Sequence, residues 1–158
     1  MKKIFSLVFL FLLFLVFRSV VFSHCEVPCG IYNDEMRFKM LEEHIQTIEK
    51  AMNQIMELSK ESPQNMNQIV RWIMNKEKHA EDMQHIISQY FLTQRIKSAE
   101  ADDEEAKLSY VKKLTICHQI LVYAMKAKQS TDLENIKHLK SAVEQFKTVY
   151  FEPKEHSH

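Results

Sequence analysis

Residues 33–59 read NDEMRFKMLEEHIQTIEKAMNQIMELS. Phe38, Leu41, Ile45, Ile48, Met52 and Ile55 recur at alternating spacings of three and four, the period that gathers apolar side chains on one face of an α-helix. A lone stripe of this kind must find a partner to bury it, so the segment predicts a helix packed against other helices. Ser62-Pro63 then offers a cap and a first-turn proline. A second helix is predicted from there to about Lys97, with a stripe of Met66, Ile69, Ile73, Ala80, Met83, Ile87 and Tyr90 and a polar gap at Lys76 and Glu77. The stretch from Ser98 to Glu105 breaks the pattern. Acids in its second half suit the start of a third helix, whose dipole favours negative charge there. That helix carries Leu108, Val111, Leu114, His118, Leu121 and Met125. Thr131-Asp132-Leu133-Glu134 matches a capping box and opens a fourth helix with Ile136, Leu139, Val143, Phe146 and Tyr150. Four amphipathic helices with short connections predict an all-α fold, an antiparallel four-helix bundle.

Composition agrees. The chain has 158 residues, enough for one domain with a real core, and only one Gly and three Pro, too few for a turn-rich β fold. Formal net charge is +0. A basic face of the kind nucleic acid requires is not evident, so nucleic acid is not an expected partner.

Residues 1–23 read as a signal peptide. Lys2 and Lys3 form a positive start, Ile4 to Phe17 is an apolar run interrupted only by Ser6, and Val21-Phe22-Ser23 suits signal peptidase. The run is short for a spanning helix, so no membrane association is expected after cleavage. His24, rather than a small residue, precedes Cys25, which argues against a lipoprotein. Removing this segment takes away three cations and no acid, leaving a mature chain of formal charge −3. The expectation is an exported protein, periplasmic or secreted.

Cleavage before His24 would expose His24-Cys25-Glu26-Val27-Pro28-Cys29-Gly30-Ile31-Tyr32. A free amine, an imidazole and two thiols then crowd into six residues. Pro28 favours a turn between Cys25 and Cys29, and Gly30 lets the chain leave in a conformation that other residues resist. Thiolates suit late first-row metals. The new α-amine, with a pKa near 8, can lose its proton to a metal, and the Cys25 amide lies between that amine and the Cys25 sulfur. A square-planar ion such as Ni(II) or Cu(II) fits these donors. Structural zinc would use four side chains, and the segment offers three. The alternative is a non-catalytic helical copper- or nickel-binding or interaction protein in which Cys25 and Cys29 form a disulfide.

His-Cys-x-x-Pro-Cys-Gly-x-Tyr at a processed N-terminus resembles the nickel hook of nickel-containing superoxide dismutases. The resemblance implies a four-helix bundle, a homohexamer, a nickel cofactor and superoxide as substrate, converted to oxygen and hydrogen peroxide through a Ni(II)/Ni(III) cycle. It implies that His24, Cys25 and Cys29 are the metal ligands and that Tyr32 lines the open face and positions small molecules. Glu26 stands where the family usually has aspartate. A glutamate on the first helix and an arginine on the second support the histidine in the family. Arg71 is the matching arginine, while the matching glutamate position falls on Met40 or Leu41, so Glu42 or Glu43 stands in. The chain thus divides into a signal peptide (1–23), a nickel hook (24–32), a four-helix bundle (33–151) and a flexible tail (152–158). Cys117 reads as a buried thiol and His118 as a core histidine. Asp82-Met83-Gln84-His85 resembles half of a di-iron ligand set, and a second half is missing.

Overall fold

The computed structural model describes residues 30–100 and 102–152. The chain divides into two units, Met1–Ile31 and Tyr32–His158. The expected signal peptide, the hook residues 24–29 and the tail beyond Glu152 lie outside the described residues.

The second unit is an all-helical, antiparallel four-helix bundle: α1 (Asp34–Leu58), α2 (Met66–His85), which continues as a π-helix (Ile86–Arg95), α3 (Glu104–Gln129) and α4 (Glu134–Phe151). Side-chain pairs fix the directions. Along α1 and α2, His44 meets His79 and Lys50 lies over Trp72, so numbers rise on one helix as they fall on the other. Glu42 pairs with Lys147 and Glu49 with Lys140, which sets α4 antiparallel to α1. Gln84 donates to the Leu121 carbonyl and Lys76 to that of Ala127, which does the same for α2 and α3.

The α1 stripe is buried as its period requires: Phe38, Leu41, Ile45, Ile48, Met52 and Ile55 all face the core. Asn33 caps this helix by accepting from the Met36 N–H at 3.0 Å. Two helix starts differ from expectation. α2 begins at Met66 because Asn65, a favoured cap residue, accepts from the Gln68 N–H, and Pro63 stays in the connection. α4 begins at Glu134, with the Asp132 carboxylate rather than the Thr131 hydroxyl accepting from the Glu134 N–H. α3 starts beside its acids as expected, with Asp103 accepting from the Ala106 N–H.

Two faces are corrected. On α3 most of the expected stripe points outward, with Leu108 71% and Val111 55% exposed, Met125 exposed and His118 on the surface, while Leu114 is half-buried and Leu121 packs against the core. The core receives Ile116, Cys117, Ile120, Ala124 and Ala127 instead. This helix is apolar on two faces, so spacing alone admits both. The inner face carries the smaller residues, which let neighbouring helices come close. On α2, Met66 and Ile73 are exposed while Ile69, Ala80 and Met83 are buried.

The expected polar gap on α2 is also filled differently. Lys76 is only 3% exposed. Its Nζ donates to the carbonyls of Ala127, Lys128 and Ser130 at 2.7, 2.7 and 2.9 Å. These groups end α3, where helix carbonyls lack partners and the dipole is negative. One ammonium with three donors matches three acceptors. Lys76→Met is expected to keep the stem but strand the carbonyls, destabilising the bundle by about 3 kcal/mol in urea unfolding. An unchanged midpoint would mean that water serves those carbonyls equally well.

The π-helix also departs from the expected continuous α-helix. In i→i+5 geometry, positions four and five apart share a face. Ile86, Ile87, Tyr90 and Phe91 are therefore all buried, and Arg95 falls below Tyr90. The segment closes with the Ile96 N–H bonded to the Phe91 carbonyl at 2.8 Å.

Candidate metal centre

Of the expected hook, the structure describes Gly30, Ile31 and Tyr32. Gly30 has φ +71°, a left-handed conformation that side chains resist, so its freedom is used as the sequence suggests. His24, Cys25, Glu26 and Cys29 lie outside the described residues.

Tyr32 precedes α1 directly and is 42% exposed. Its ring meets the edge of Tyr90, with centroids 5.9 Å apart, and the Arg95 guanidinium carbon lies 4.3 Å from its centroid. Both contacts come from the π-helix, whose wider turn aligns residues 90 and 95.

Beneath Tyr32, three elements converge on one carboxylate. Asp34 opens α1. Its Oδ1 accepts from Arg95 Nε at 2.9 Å and from the Tyr90 hydroxyl at 2.5 Å. Its Oδ2 accepts from Arg95 Nη2 at 2.6 Å and from the Tyr150 hydroxyl at 2.9 Å. The start of α1, the end of the π-helix and the end of α4 are thus tied at one point. Phe38, Phe91 and Phe146 pack below it with centroid separations of 4.9 to 5.2 Å.

The protonation states in this cluster are fixed. Burial pushes the Asp34 carboxyl upward, but the bonds from Arg95, Tyr90 and Tyr150 outweigh it and hold the group below its ordinary range. Burial and the bond to Asp34 push the Tyr90 phenol up to about 12 and move Tyr150 in the same direction. The bond to Asp34 raises Arg95 further. Near neutral pH the cluster is one carboxylate, one guanidinium and two phenols, and none of them releases a proton. Cys117 is buried as expected, its thiol pushed up to about 12 by desolvation.

The other expected supporting residues sit elsewhere on this unit. Arg71 is exposed on α2 beside Trp72, at the level of Lys50 and so roughly 24 Å along α1 from Asp34. Glu42 is exposed and paired with Lys147 at 2.9 Å, and Glu43 is exposed one residue on. None of the three touches Tyr32 within the chain. Asp34, Tyr90, Arg95 and Tyr150 do surround it or brace its neighbours, and sequence reading missed them in this role. The spacing marks Tyr90 and Tyr150 only as members of apolar stripes. The one available signal was an acid and an arginine at the predicted ends of two antiparallel helices.

The helical bundle follows in sequence a segment bearing an imidazole and two thiols, residue types that suit a late first-row metal. The family model for nickel-containing superoxide dismutase matches residues 19–154, and the chain belongs to that family. No curated protein and no solved structure matches it significantly. The family makes this an enzyme, a superoxide dismutase with nickel as cofactor and superoxide as substrate.

Proposed function

We propose that the mature enzyme begins at His24 and holds nickel through the His24 amine and imidazole, the Cys25 amide and thiolate, and the Cys29 thiolate. The observation that carries this reading is the anchoring of Tyr32. The last residue of the motif is clamped between Tyr90 and Arg95, two residues beyond a left-handed Gly30, which supports a built turn ahead of α1. The donor chemistry fits: soft thiolates and a deprotonated amide suit a square-planar late metal. The thiol-bearing segment offers the soft donor set that fits nickel.

Nickel, once bound there, supplies a one-electron Ni(II)/Ni(III) couple. The chain's own residues do the rest. Forming dioxygen and hydrogen peroxide from two superoxide ions consumes two protons. The Asp34 cluster holds its protons too firmly to give them, which leaves water, backbone amides and Tyr32 as the candidate sources. The Arg95 charge is offset by Asp34, so its part is to hold the Tyr32 ring rather than to attract the anion. Glu26 flanks the donors, and Arg71 with Glu42 or Glu43 is the remaining candidate support for the His24 imidazole.

Residues 1–23 act as a signal peptide removed by signal peptidase, and the enzyme works outside the cytoplasm. Among the described residues no helix is long and apolar enough to cross a membrane. The exposed apolar face of α3, with Leu108, Val111 and Met125, supports packing against further copies of the chain in a homo-oligomer, a hexamer by the family resemblance. Intact mass and metal content of the protein from its native host test the proposal together. A chain starting at His24 with about one nickel per subunit is expected. A chain retaining residues 1–23, or an oxidised Cys25–Cys29 pair without metal, overturns it.

A further inference from the structure

The seam between α1 and α2 carries a histidine pair that the chemistry of residues 24–32 does not use. His44 and His79 face each other with Nδ1 atoms 2.8 Å apart, ring centroids 5.0 Å apart and planes at 58°. His44 lies ten residues into α1, roughly 15 Å along the helix from Asp34, so the pair is separate from the Tyr32 cluster. Asp82 follows His79 by three residues, one turn along the same face of α2. The charges acting on His44 are those of His79, Asp82 and Lys78 on α2 and of Glu43 on α1.

The pair is incompletely satisfied as it stands. Burial and the neighbouring His79 push the His44 imidazole below its ordinary range, so it is neutral near pH 7. A bond between the two Nδ1 atoms needs one N–H and one lone pair. The Nε2 of His44 is buried with no partner. If His44 donates through Nδ1, its Nε2 is a bare buried lone pair; if it accepts, its Nε2–H is buried without an acceptor. Either way one buried atom of His44 lacks a partner; a metal shared by the two Nδ1 atoms would fix the proton on Nε2 and leave that atom to water, so the case for a site rests on the two facing Nδ1 atoms.

We propose that His44 and His79, joined by Asp82, form a second metal site on the α1–α2 seam that takes zinc(II). Two neutral imidazoles and a carboxylate are a zinc donor set, leaving a fourth position for water. Tetrahedral bonds of 2.0 to 2.1 Å would place the two nitrogens about 3.3 Å apart, so the rings need to part by only about half an ångström. Among the described residues no three donors already stand in ligating positions, so Asp82 swings in on binding. Its present partner is Lys78, in an ion pair between successive turns at the surface, and such pairs contribute little. The site has no thiolate, which sets its preference apart from that of the hook.

Titration of the nickel-loaded mature protein with zinc sulfate by calorimetry tests this. One zinc per chain beyond the nickel is expected, with an X-ray absorption spectrum showing imidazole nitrogen and no sulfur around it. His44→Gln and His79→Gln should each weaken binding by at least about tenfold, and Asp82→Asn should weaken it as well. No uptake beyond nickel, a zinc sphere containing sulfur, or affinity unmoved in both histidine variants overturns the site, and unchanged affinity in Asp82→Asn overturns the third ligand. The spectrum of the unaltered protein decides the matter even if a variant fails to fold.

Discussion

A mature chain carrying one extra residue before His24 is expected to lose superoxide dismutase activity by at least about a hundredfold while its bundle stays folded. The argument is chemical. An α-amine has a pKa near 8 and keeps a lone pair that a metal can claim once the proton leaves. Acylation by one more residue turns that nitrogen into a peptide amide, whose lone pair is delocalised. The imidazole of His24 and both thiolates remain, so the change removes one proposed donor and shifts the chelate ring built on it. The bundle has no stake in this nitrogen, because its core runs from Phe38 to Val149 and its upper end is tied at Asp34. Activity, nickel content and helical circular dichroism should be read on the same sample. Full helicity with activity lost supports the free amine as a donor; full helicity with activity at the parent rate removes it from the mechanism.

What was legible in the sequence follows from where one physical constraint dominates. On α1, one face is apolar and the other charged, so burial has a single solution, and every stripe residue is buried. On α3, Leu108, Val111 and Met125 make as good a period as Ile116, Ile120 and Ala127, and only the packing of neighbouring helices chooses between them. Lys76 read as a gap because lysine is ordinarily solvated; the partner that permits its burial is the end of a helix about fifty residues away, which no local pattern reveals. The π-helix has no sequence signature of this kind either, yet it brings Tyr90 and Arg95 onto one face. The motif from His24 to Tyr32 points to the proposed metal chemistry through unusual residues at dense spacing. The residues that brace its last member do not, because a carboxylate, an arginine and two tyrosines become a cluster only when three helix ends meet.

That meeting point sets the second large effect. Asp34→Asn is expected to destabilise the bundle by about 3 kcal/mol. Asp34 and Arg95 are 17% and 27% exposed, dry enough for the ion pair to escape most solvent screening, yet not sealed, so the lower end of the range for a broken buried pair applies. The amide keeps the shape and one acceptor oxygen but leaves the guanidinium without its counter-charge and one of the two phenols without an acceptor. The pH dependence carries the same signature. Because the folded carboxyl titrates below its unfolded value near 3.9, its contribution is fully present above that value and is lost as pH falls through the folded one. The stability difference between parent and Asp34→Asn should therefore be constant from neutrality down to about pH 5 and shrink below about pH 4. Activity should fall as well, by about tenfold, because Arg95 would no longer be held against the Tyr32 ring and a misplaced group near a reacting centre is costly. Urea unfolding at several pH values, with dismutase assays at neutral pH, reads all three. A variant as stable as the parent at pH 7 would show that Tyr90, Arg95 and Tyr150 find water as good a partner as Asp34, and that helix packing alone holds Tyr32 in place.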